Sequence, residues 1–140
     1  MSVSSLVYPM AAMVLLTMVV LVRLFRSRVA AVRAGQIDAT YFRLYQGTDE
    51  PELTRKFSRH FTNLFEAPTL FYVACLVAMI LGLTGPVLVV LAWGYVAARA
   101  MHAVVHLGGN RLRKRILAYF VSWLFLAALW VTLVVAVATR

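Results

Sequence analysis

The stretch Arg59-His60-Phe61-Thr62-Asn63-Leu64-Phe65-Glu66-Ala67-Pro68 leads into Phe71-Tyr72-Val73-Ala74-Cys75-Leu76-Val77-Ala78-Met79-Ile80-Leu81. Arg59, Asn63 and Glu66 stand four and three residues apart, the spacing of one helix face. The segment that follows is one that only a bilayer or a deep core would accept. Polar groups at the head of a membrane helix are costly, so they call for a partner or a function.

Outward from this stretch, the run from Ala67 to Ala98 carries no charge over 32 residues, long for one span and short for two. Gly82-Leu83-Thr84-Gly85-Pro86 divides it with a tight turn. Because a span needs roughly 20 residues, helix two is expected over 59–82 and helix three over 86–107. Both arms then bring ionisable residues to the membrane boundary. On helix three these are Arg99, His102 and His106, again three and four apart and on one face. Antiparallel helices that each rise about 1.5 Å per residue place residues equidistant from the turn at equal depth. Arg59 is therefore expected level with His106, Asn63 with His102, and Glu66 with Arg99.

Upstream, Met1 to Val22 has no charged side chain and is followed by Arg23, Arg26 and Arg28. A cleaved signal peptide has basic residues before its apolar run and small residues at its cleavage site. The pattern here predicts a retained first helix over 6–33, closed by Gly35. The polar stretch 35–58 is the one substantial loop, and its Tyr41, Phe42 and Tyr45 are expected to pack or to lie at the interface. Downstream, Gly108-Gly109-Asn110 ends helix three, and Arg111-Leu112-Arg113-Lys114-Arg115 connects it to a fourth helix over 114–138.

The totals agree with four spans. The 140 residues are 63% hydrophobic and 14% charged, with a mean hydropathy of +0.84. A soluble domain of this size has too little interior to hide that much apolar surface. The formal charge of +9 sits in clusters beside the apolar runs, which is a topology signal and not a nucleic-acid surface. It puts the first and third loops in the cytoplasm and both termini on the opposite face; the membrane is expected to be a bacterial inner membrane. The one cysteine, Cys75, can form no disulfide within the chain. The fold class is all-α: a single-domain, up-down, four-helix membrane bundle spanning residues 1–140.

Two readings of the polar set stand side by side. Glu66 and Arg99 can form an intramembrane ion pair that locks the bundle, with Asn63 and His102 as a hydrogen-bonded rung. Alternatively, the set lines a cleft whose arginine-rich mouth (Arg55, Arg59, Arg111, Arg113, Arg115) grips an anionic ligand. A metal held by His102 and His106, with His60 or Glu66, is a third and weaker idea, and no metal is expected. Catalytic triads, phosphate-binding loops and dinucleotide fingerprints are absent from the sequence.

The Arg-x-x-x-Asn-x-x-Glu core followed by Pro68, an apolar helix, Ala98-Arg99-Ala100-Met101-His102-Ala103-Val104-Val105-His106, a basic turn and a fourth apolar helix together resemble the MAPEG family. These are membrane-associated proteins of eicosanoid and glutathione metabolism. The likeness runs from about Arg55 to the carboxyl terminus. It implies a homotrimer of four-helix protomers that binds glutathione as cosubstrate between neighbours, near the cytoplasmic face, and takes apolar small-molecule substrates from membrane lipid. It implies that Arg59, Asn63 and Glu66 contact glutathione, with Arg99, His102 and His106 opposite. Arg113 falls where an arginine polarises the glutathione thiol, a role that passes to Arg111 or Arg115 if the register slips at 108–110. A glutathione-dependent transferase or peroxidase is the implied activity; a non-catalytic membrane subunit or scaffold is the alternative. His102 and His106 stand where the leukotriene-forming branch has tyrosines, and Ala67 where it has another. These departures mark a divergent, prokaryotic member.

Overall fold

The computed structural model describes residues 3–46, 50–83, 85–109 and 111–139. A 3₁₀ turn over Val3–Leu6 opens α1 (Val7–Arg33), followed by α2 (Tyr41–Leu44), α3 (Glu52–Asn63), α4 (Ala67–Ile80), α5 (Pro86–Leu107) and α6 (Leu112–Ala138). No strand occurs among the described residues. Among the described residues four segments are long and apolar enough to cross a membrane: α1, α3 with α4, α5, and α6. The protein is an all-α membrane four-helix bundle. Thr84 of the predicted turn, Asn110 of the predicted helix end, and Gly47 and Asp49 of the loop lie outside the described residues.

Two glycines close helices in the left-handed conformation that an L side chain resists. Gly35 has φ 65° and Gly82 φ 68°. Behind each, the next amide reaches back to the last turn, Gln36 N–H to the Ala31 carbonyl and Leu83 N–H to the Ala78 carbonyl. Gly85 then caps α5, whose first residue, Pro86, has no amide hydrogen to leave unsatisfied.

The second span is not one rod. It begins at Glu52, seven residues before the expected start at 59, and breaks at Leu64–Glu66. Pro68 has no N–H to donate to the Leu64 carbonyl, so α3 cannot continue through it, yet proline is tolerated in the first turn of a new helix. Glu66, at φ −89° and ψ −93°, is the hinge residue before α4.

In the bundle, α5 packs most extensively on α6, and α1 on α3. The core draws Met13 and Val20 from α1, Phe71, Ala74 and Ala78 from α4, Ala92 and Tyr95 from α5, and Leu126, Leu129 and Leu133 from α6. Phe71 and Tyr95 stack with centroids 4.5 Å apart and planes at 15°. Cys75 is a buried free thiol. The outward faces are apolar too, as Leu15 and Leu124 show at 62% and 70% exposure, and this is the surface a bilayer covers.

The first loop is fastened by Arg28. Its guanidinium lies 5.0 Å from the Phe42 ring centroid and 5.6 Å from that of Tyr45. It donates to Ser58 Oγ at 3.1 Å and approaches Glu50 Oε1 at 3.6 Å. Tyr41, Phe42 and Tyr45 form an edge-to-face cluster over it. Loop, α1 and α3 are thereby tied together at the basic end of the bundle.

Candidate functional site

A cavity of about 310 Å³ opens at the basic end between α3, α5 and α6. Arg59 and Asn63 enter it from α3, His102 and His106 from α5, and Arg115, Ile116, Tyr119 and Phe120 from α6. The α6 contribution follows from helix spacing, since residues at i, i+1, i+4 and i+5 share one face. No carboxylate of the described residues lines the cavity. Its charge is that of two guanidiniums, Arg59 exposed on one wall and Arg115 half-buried on the other. Ile116 and Phe120 are 44% and 61% exposed and form its lipid-side rim.

Beneath the cavity lies a buried polar seam. His60, fully buried, packs against His102 and His106 with ring centroids 5.4 and 5.1 Å away. The His102 ring also lies 5.6 Å from Tyr119. Arg99 is fully buried; its Nη2 donates to the Asn63 side-chain Oδ1 at 2.6 Å and to the Asn63 carbonyl at 3.1 Å. Asn63 in turn donates from Nδ2 to Glu66 Oε2 at 2.9 Å. Arg99 Nε and Nη1, the Tyr95 hydroxyl, both His60 nitrogens and Nδ1 of His102 and His106 have no hydrogen-bond partner among the described residues.

The expected register needs correction. Arg99 does not pair with Glu66: among the described residues no ion pair joins them, and Glu66 is exposed. Arg99 meets Asn63 instead, and His102 meets His60, each about three residues from the equal-depth partner. Equal depth assumed two unbroken rods, whereas α3 and α4 meet at a hinge. The long arginine side chain can also cover about one helical turn, roughly 5.4 Å of rise. The chain Arg99–Asn63–Glu66 thus relays the charge pairing through an amide.

Of the residues singled out in the sequence, Arg59, Asn63, His102 and His106 come together in the cavity, while Glu66 and Arg99 lie behind Asn63. Arg111 and Arg113 are exposed and do not line it; Arg115 does. Tyr119 was not expected at the site, and His60 was named only as a metal ligand. The spacing of Tyr119, four after Arg115, and the position of His60, beside Arg59, were the available signals. Among the described residues no three histidine, cysteine or acidic side chains converge as a metal site.

The sequence model of the MAPEG family matches residues 6–135, nearly the whole chain. No curated protein and no solved structure matches it.

Proposed function

The chain belongs to the MAPEG family, and from that premise we propose that it is a glutathione-dependent membrane transferase or peroxidase acting on apolar electrophiles. The observation that carries this reading is the cavity at the basic end: two arginines on facing walls, no carboxylate of the described residues between them, and a rim of exposed apolar side chains. Glutathione bears two carboxylates, and planar guanidiniums bind carboxylates with paired, charge-assisted hydrogen bonds. The residues present fit that ligand. Arg59 takes a carboxylate, and Asn63, held by Arg99 and Glu66, presents its amide at fixed orientation.

Bound there, the thiol supplies a nucleophile or a reductant for apolar partners. Thiols near pKa ~8.5 are mostly protonated at neutral pH, and an adjacent cation favours the thiolate. In this reading Arg115 is that cation, in place of Arg113, and the Tyr119 hydroxyl, one turn along α6, donates a hydrogen bond to the sulfur. Ile116 and Phe120 admit the electrophile from the hydrocarbon side. Three protomers assemble as a homotrimer, with the basic end in the cytoplasm.

The test is glutathione affinity of the detergent-purified protein by calorimetry. Arg59→Ala and Arg115→Ala should each weaken binding by roughly 10- to 100-fold, the loss of a charged hydrogen-bond partner. A parent protein that takes up no glutathione overturns the proposal. It would then favour the scaffold reading, in which the Arg99–Asn63–Glu66 chain serves only to hold two spans together.

A further inference from the structure

At its basic end, α1 carries a second cationic feature that the cavity does not use. Met18, Val22 and Phe25 are 57%, 55% and 66% exposed and lie on one face of the helix. Continuing that face, Arg26 and Arg33 flank Val29 in an open depression of about 500 Å³, also lined by Phe25 and Ala30. Arg26 and Arg33 are two helical turns apart, roughly 10.5 Å along the axis, so their flexible side chains can converge on one group between them.

Nothing in the described chain neutralises these two cations. Each of the four described acids is engaged elsewhere. Asp38 accepts from Thr40, Glu50 faces Arg28 and Ser58, Glu52 pairs with Lys56, and Glu66 accepts from Asn63. The stripe is thus apolar on the hydrocarbon side and doubly cationic at the boundary, with no counterion among the described residues. Anionic lipid headgroups are attracted to such juxtamembrane clusters, each cation contributing on the order of 1 kcal/mol.

We propose that this face of α1 is a binding site for one anionic phospholipid, its phosphate held between Arg26 and Arg33 and an acyl chain laid along Phe25, Val22 and Met18. The two-part stripe selects this occupant. A soluble anion would need only the arginines, and a neutral lipid would need only the apolar half.

The test is native mass spectrometry of the full chain in detergent, titrated with palmitoyl-oleoyl-phosphatidylglycerol or palmitoyl-oleoyl-phosphatidylcholine. The parent should retain the phosphatidylglycerol and release the phosphatidylcholine. R26Q/R33Q should weaken retention roughly 30-fold, the product of two surface cations. R26K/R33K should keep most of it, which separates lost charge from lost fold. R111Q/K114Q, at the start of α6, should leave it nearly unchanged. Equal loss in the α6 pair would reduce the effect to general surface charge and overturn the site. Equal retention of both lipids would overturn it too. So would equal binding of the soluble headgroup glycerophosphoglycerol, or a change in the number of chains per complex, instead of lipid retention, in R26Q/R33Q.

Discussion

Arg99 is fully buried in a membrane span, yet among the described residues only its Nη2 has a hydrogen-bond partner, the neutral Asn63. Removing the side-chain acceptor leaves that buried guanidinium with the Asn63 main-chain carbonyl alone, a large penalty for a buried charge even where the contact itself stabilises little. Asn63→Leu should therefore lower stability strongly, on the order of 3 kcal/mol, read as a fall in melting temperature in detergent. Glu66→Gln should act differently. The exposed carboxylate only accepts from Asn63, and exposed polar pairs contribute at most about 1 kcal/mol. A melting shift for Glu66→Gln as large as for Asn63→Leu would mean that Glu66 is the true counterion. In the loop, the hydroxyl and N–H of Thr40 hold the Asp38 carboxyl below its ordinary range. A depressed folded value means that this turn is fully supported above the ordinary pKa and loses support as pH falls through the lower one. Amide exchange at Thr40, corrected for its intrinsic rate, should accelerate in that acid window, and in Asp38→Ala it should be fast at every pH.

At the scale of elements, α5 and α6 approach because Gly94 has no side chain: a Cβ there would overlap the Phe125 ring. Small residues at helix crossings are how membrane helices reach close contact. Gly94→Val should force the pair apart and cost about 1–3 kcal/mol, the usual penalty of overpacking. Combining it with Phe125→Ala should recover much of that loss in the same melting assay, since the ring is what the new side chain meets. A Gly94→Val protein as stable as the parent would show that the ring swings aside freely. The four spans were legible in the sequence because uncharged runs and the closures at Gly35 and Gly82 follow from local chemistry. The hinge was half legible: Pro68 marks a helix start, but nothing local reveals that α3 begins at Glu52 or that Glu66 leaves helical geometry. Reading the span as one rod misplaced the Glu66–Arg99 pair, whereas Arg59 with His106 and Asn63 with His102 still share the cavity.

For the whole molecule, the candidate site was legible only where it rests on within-helix spacing. Arg59 with Asn63, and His102 with His106, follow from one face each, but which arginine of the basic connector enters depends on the rotation of α6, and rotation is fixed by packing. Facing Ala118, Ser122 and Leu126 into the bundle brings Arg115 and Tyr119 to the cavity and leaves Arg113 outside. This geometry makes a prediction about assembly. Arg59 and Arg115 line one cavity within one chain. If the protein is a homotrimer, Arg59→Ala and Arg115→Ala subunits refolded together should form mixed trimers in which every cavity still lacks one arginine. Glutathione binding in the mixture, measured by calorimetry, should then equal the average of the two variants measured separately. Were the two arginines instead contributed to each site by different protomers, a fraction of interfaces would regain both, and binding would rise toward that of the parent. Such recovery would relocate the site from the groove between α3, α5 and α6 of one chain to the seam between chains.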